Sequence, residues 1–120
     1  MQLWHEDLIP FLPRQQLLGQ HRECCALRGK GWGRKHKTVD YVFTHSPIKL
    51  FQYHELVMEE MEKRGYHVDP LWWNPEYRGK QMDPYKGITR SEPSRPIYSE
   101  HDEGYKRECL ENLKEKGIVL

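Results

Sequence analysis

The run from Arg14 to Leu27, Arg-Gln-Gln-Leu-Leu-Gly-Gln-His-Arg-Glu-Cys-Cys-Ala-Leu, holds the densest set of side chains able to do chemistry. Glu23 is a carboxylate beside Arg22, the type of group that moves protons or steadies a developing cation. On a helix, Gln16, Gly19, Glu23 and Ala26 share one face, at i, i+3, i+7 and i+10. Gly19 and Ala26 are small, so another backbone can come close to that face. Leu17, Leu18, Cys24, Cys25 and Leu27 read as core. Local pattern alone makes Glu23 a solvated helix carboxylate. His21, Cys24 and Cys25 form a His-x-x-Cys-Cys cluster. Structural zinc uses paired knuckles, and only one half is visible, so the expectation is buried thiols, no metal and no cofactor. Nothing around the cysteines resembles a thiol-enzyme signature.

Two further constellations suit nucleic acid. From Arg28 to Lys37 the chain reads Arg-Gly-Lys-Gly-Trp-Gly-Arg-Lys-His-Lys, with Arg28, Lys30, Arg34, Lys35 and Lys37 and no acid. Cations neutralise phosphates, and the glycines let the backbone approach them. The second is Trp72, Trp73, Tyr77, Arg78 and Lys80. Its rings can stack on an exposed base while Arg78 holds a phosphate. At least one of these tryptophans is expected in the core.

These groups need elements to position them. The first residues, Met-Gln-Leu-Trp-His-Glu-Asp-Leu-Ile-Pro-Phe-Leu-Pro, pack from Leu3 onward, and Pro10 and Pro13 prevent a long helix. A first helix is predicted from near Pro13 to Leu27 or Arg28, with Gly29 as its stop. A Gly-rich basic loop then leads into Thr38–Phe43, read as extended chain or a short helix. Ser46-Pro47 begins the clearest helix, about residues 47–64, closed by Gly65. Its stripe is Leu50, His54, Val57 and Met61. Residues 66–97 are too proline-rich for regular structure and too aromatic for a solvated linker, so they are predicted to wrap over the helices as ordered chain. The last helix is predicted to start at Ser99 as N-cap, with Cys109, Leu110 and Leu113 inward and Gly117 at its end.

The totals agree. At 120 residues the chain is expected to form one domain over 1–120, all-α, a compact bundle of about three main helices with long irregular Pro- and aromatic-rich connections. The net charge of +1 hides a polarised molecule, because acids gather in Glu55–Glu62 and Glu100–Glu103, away from the basic loop. No signal-peptide pattern or membrane-length apolar run is present, and three cysteines suit reduced thiols, so a cytosolic, cytoplasmic location is expected.

In order along the chain, Arg22-Glu23 on the first helix, Arg34-Lys35-His36, the Val42–Val68 stretch with Lys63-Arg64-Gly65-Tyr66, Tyr77-Arg78-Gly79 and the final Leu110–Ile118 segment carry a resemblance. The chain resembles the pyrimidine-dimer DNA glycosylase family of the phage endonuclease V type. The resemblance implies a helical fold. It also implies an enzyme that binds double-stranded DNA carrying a damaged base, a cyclobutane pyrimidine dimer or a related lesion, and works as a monomer with no membrane. The N-terminal amine, here that of Met1, would attack the sugar C1′ to form an imine, and the strand would then break by β-elimination. Glu23 would be the acid/base, supported by Gln2, Gln16 and Arg22, with Arg28, Lys30, Arg34, Lys35, Lys37 and Arg78 on DNA. An α-amine has an ordinary pKa of about 7.7–8.0 and is partly neutral near pH 7. The family's Thr at the second position is Gln2 here, its Arg at the third is Leu3, and its active-site His is Gln16. A residue as bulky as Gln2 is expected to leave Met1 in place. Two other readings stay open: a non-catalytic nucleic-acid-binding protein on the same fold, and a metal or thiol protein using His21, Cys24 and Cys25.

Overall fold

The computed structural model describes residues 2–29 and 39–120. The described chain is helical, with no strand among the described residues. Three α-helices carry it: α1, Arg14–Arg28; α2, Pro47–Lys63; and α3, Glu103–Glu115. Short 3-10 turns at Glu6–Phe11, Asp40–Thr44 and Pro70–Trp73 punctuate the connections. Thr38 lies outside the described residues; from Asp40 the stretch takes the short-helix form of its two expected alternatives.

The residues before α1 are part of the core. Leu3, Trp4, Leu8, Ile9 and Leu12 are buried. Arg64, the C-cap of α2, donates to the carbonyls of Leu12 at 2.7 Å and Pro10 at 3.1 Å, clamping this segment to the end of α2. α1 begins after Pro13 and ends at Gly29, as its sequence predicts. At Gly29 the backbone of another segment comes close. The glycine φ is an ordinary −83°, but a Cβ there would stand 3.1 Å from the Arg78 carbonyl oxygen. A side chain here would crowd that backbone, so the position suits glycine without a left-handed turn.

α2 is the central helix. The Ser46 hydroxyl accepts from the Ile48 N–H, and Pro47 sits in the first turn, where its missing donor costs nothing. Leu50, Phe51, Tyr53, His54, Val57, Met58 and Met61 are buried along it. Gly65, at φ +88°, lets the Tyr66 N–H reach the Met61 carbonyl at 3.0 Å and satisfies an open acceptor at the helix end.

Residues 66–97 do wrap the helices. Gln52 donates to the Ser91 carbonyl, Lys49 to the Ile97 carbonyl, and Arg95 pairs with Glu6. The start of α3 needs correcting. Its N-cap is Asp102, whose carboxylate accepts from the Tyr105 N–H at 2.8 Å. Ser99 lies one turn earlier, outside the helix. Tyr98 and His101 are both buried, and the turn between them, closed by the His101 N–H on the Tyr98 carbonyl, holds residues 99–101 out of helical register. Gly117 closes α3 as predicted, with the Ile118 N–H on the Leu113 carbonyl. Among the described residues no helix is long and apolar enough to cross a membrane.

Candidate active site

The first described residue of the chain, Gln2, lies between α1 and α3. The main-chain N–H of Gln2 donates to Glu23 Oε2 at 3.2 Å. Gln20, one turn before Glu23 on α1, donates from Nε2 to the Gln2 carbonyl at 2.9 Å and to the same Glu23 oxygen at 3.3 Å. Its Oε1 accepts the Trp4 N–H at 2.6 Å and lies 2.8 Å from the Tyr53 hydroxyl of α2. α3 holds the other side. Tyr105 donates to the Leu3 carbonyl at 2.6 Å, the Gln2 amide lies 3.4 Å from the Tyr105 hydroxyl and 3.5 Å from Cys109 Sγ, and Asn112 donates to Gln2 Oε1 at 3.5 Å. Burial keeps the surrounding Tyr53, Tyr105 and Cys109 groups protonated, each with its pKa raised. The product is a carboxylate on a helix, aimed at the main-chain nitrogen of the second residue.

The Leu3 side chain is fully buried, a place that suits an apolar residue. Gln16 is half-buried two turns before Glu23. Arg22 is exposed, and its guanidinium lies over Gly19, so that a Cβ at Gly19 would meet it at 3.7 Å. Among the described residues, the Gly19 end of the small-residue face is covered by the Arg22 side chain rather than by another backbone. Met1, Lys30, Arg34, Lys35 and Lys37 lie outside the described residues.

Arg28 corrects its expected role. It is 2% exposed. Nη1 donates to the Trp72 carbonyl at 2.8 Å and to His54 Nδ1 at 3.0 Å, and Nη2 donates to the carbonyls of Asn74 and Tyr77 at 2.7 and 2.9 Å. The guanidinium also faces the rings of Phe51 and Trp72. In this fold it staples the wrapping segment to α1 and α2 and is closed to phosphate. Arg78, half-buried, donates to the carbonyls of Arg28 and Gly29 at 3.0 and 3.1 Å, the open acceptors at the end of α1, and lies over Tyr85. Trp72 packs edge-on against Tyr77 and beside His54, but it and Trp73 are both half-buried, packed against the core rather than inside it.

The sulfur and histidine groups of α1 meet α2. His21 Nδ1 is 2.8 Å from His54 Nε2, and Cys25 Sγ is 3.8 to 4.0 Å from the two rings. The ligand atoms of these three side chains lie within 4.8 Å of one another, close enough to consider a cation. The tautomer argues otherwise. Arg28 can only donate, so His54 Nδ1 accepts, and the neutral ring carries its proton on Nε2, directed at His21. A metal ligand needs a lone pair there and a donor on the far nitrogen, the reverse arrangement. Cys24, the expected third member, is buried apart from the rings. Burial pushes the Cys25 thiol up to about 12 and Cys24 well above its ordinary value, so neither is a thiolate near neutral pH.

Gln20, Tyr53, Tyr105 and Asn112 were not singled out by type or spacing. For Gln20 a signal existed: it falls on the same helical stripe as Leu17, Cys24 and Leu27, a polar residue on the core face.

The family model described as pyrimidine dimer DNA glycosylase matches residues 1–74, the stretch that runs from the Glu23 site through α2 to Asn74. No curated protein and no solved structure matches the chain. The match stops short of Tyr77-Arg78-Gly79 and of α3, but it covers more than half of the 120 residues and contains both Gln2 and Glu23. The chain belongs to the pyrimidine dimer DNA glycosylase family.

Proposed function

We propose that the protein is a DNA glycosylase with AP-lyase activity, acting on damaged pyrimidines, cyclobutane dimers or a related lesion, in double-stranded DNA. The observation that carries this reading is the 3.2 Å contact between Glu23 Oε2 and the Gln2 main-chain nitrogen. The nucleophile is the α-amine of Met1, one residue upstream. One residue spans at most about 3.6 Å, so that amine is tethered next to a nitrogen already bonded to Glu23. Its lone pair attacks C1′ while the bond from C1′ to the base breaks and the base leaves with a proton. Ring opening gives the imine. Removal of a proton from C2′ expels the 3′ phosphate and cuts the strand. Glu23 accepts and returns these protons and stabilises the cationic imine. Arg22, exposed on the same helix, and the cations Lys30, Arg34, Lys35 and Lys37 hold phosphates.

The working unit is the whole of residues 1–120, acting as a cytoplasmic monomer. Support comes from beyond the family match: Tyr105 holds Leu3, Ile97 receives Lys49, and Arg95 pairs with Glu6, so the last part of the chain closes over the first.

Borohydride trapping tests the reading on duplexes carrying an abasic site or a pyrimidine dimer. The wild-type protein forms a covalent adduct through its N-terminal peptide. Glu23→Gln slows adduct formation by about 10²–10⁴-fold, and an acetylated N-terminus abolishes it. Salt-sensitive duplex binding with no adduct on any lesion overturns the reading and leaves a binding protein on the same fold.

A further inference from the structure

We infer that Gln20 is the positioning residue of this site, locking the main chain of residues 2–4 and the Glu23 carboxylate into one fixed relation. The inference rests on the amine–Glu23 reading above. It deepens that reading by naming what holds the two partners together.

Gln20 is 2% exposed, and its amide is fully engaged. Trp4 N–H can only donate, so the amide oxygen faces it and the orientation of the group is set. Nε2 is then left with two protons. One meets the Gln2 carbonyl, and the other meets Glu23. The oxygen also faces Tyr53, whose hydroxyl touches the Trp4 carbonyl at 2.6 Å. Gln20 therefore grips the first residues at two points, two residues apart, and reaches the carboxylate with the same group. An amine at the chain start would otherwise swing freely, and a misplacement of about 1 Å costs about 10²-fold in rate.

Gln20→Glu separates positioning from mere packing. It keeps the volume and the acceptor toward Trp4, but places an acceptor where two donors stood. The groups facing the new carboxyl are Glu23 from α1, the Tyr53 hydroxyl from α2 and, across Gln2, the Tyr105 hydroxyl and Cys109 thiol of α3. Ionised, it repels Glu23 and the Gln2 carbonyl; protonated, it regains one donor. Single-turnover trapping on an abasic duplex is measured from about pH 5 to about pH 8, with duplex affinity and thermal melting alongside. The expected result is a trapping rate at least about tenfold below wild type at about pH 8, a deficit that shrinks toward about pH 5, and affinity within about threefold. A wild-type rate at every pH overturns the inference, and so does a loss of the same factor at every pH, which marks a structural role alone. If Gln20→Glu shows no cooperative melt, Tyr53→Phe replaces it. Trapping about threefold slower at unchanged affinity supports positioning, and an unchanged rate overturns it. A wild-type protein that forms no adduct removes the amine–Glu23 reading and this inference with it; parallel pH curves with a working wild type remove the inference only.

Discussion

Arg28 and Glu23 sit five residues apart on α1, and their surroundings give them opposite uses. Arg28 opens the basic run in the sequence, which is why it reads as a phosphate contact. Its place on the helix tells more: Leu17, Gln20, Cys24, Leu27 and Arg28 form one buried stripe. The two polar members of that stripe are the two that cross-link the molecule, Gln20 to the chain start and Arg28 to the carbonyls of Trp72, Asn74 and Tyr77. For Arg28 composition could not reveal this, because its carbonyl partners are more than forty residues away. A lysine cannot reproduce a planar fork that serves three carbonyls. Arg28→Lys should therefore destabilise the fold by about 2–4 kcal/mol in urea denaturation, with the salt dependence of DNA binding unchanged. A loss of DNA affinity at full stability would return Arg28 to the phosphates.

At the scale of elements, α2 was the most legible, because Ser46, Pro47, the apolar stripe and Gly65 all act locally. α3 was legible in its face and its end but not in its start. Ser99 and Asp102 are both good caps by type, and only the burial of Tyr98 and His101 selects the second. The choice has an energetic signature. Asp102→Ala should cost about 1 kcal/mol, the usual value for a lost N-cap, while Ser99→Ala should leave the melting temperature nearly unchanged. The reverse order would place the helix start at Ser99. The start of α3 also bears on the site, since the register of this helix sets Tyr105 and Asn112 against Leu3 and Gln2. These contacts lie outside the family match and join residues over one hundred positions apart, so neither motif nor periodicity could supply them.

At the scale of the whole molecule, buried histidines make the fold sensitive to acid. His54 is completely buried, and burial first, then the charge of Arg28 and the neighbouring His21, holds it well below the ordinary imidazole value. His101, 1% exposed, is lowered to about 4 by burial and then by the adjacent His5. His21 shifts the same way, by burial and by Arg22 and Arg28, but is half-buried and counts for less. These rings stay neutral when folded and take up protons when unfolded, below about pH 6.5. The unfolded chain then binds more protons, so stability falls as pH falls, beginning near the unfolded value and continuing toward the folded one. For His101 alone the loss should reach about 2 kcal/mol by about pH 5, a pH above the ordinary carboxylate range. His54 adds to it. Denaturation midpoints followed from about pH 8 to about pH 5 should fall steadily below about pH 6.5, and His101→Gln should flatten part of that slope while leaving the rest to His54. Midpoints that hold constant across this window would mean that the rings accept protons in place, through an opening of the core that admits water to the His54–His21 pair or to the His5–His101 stack.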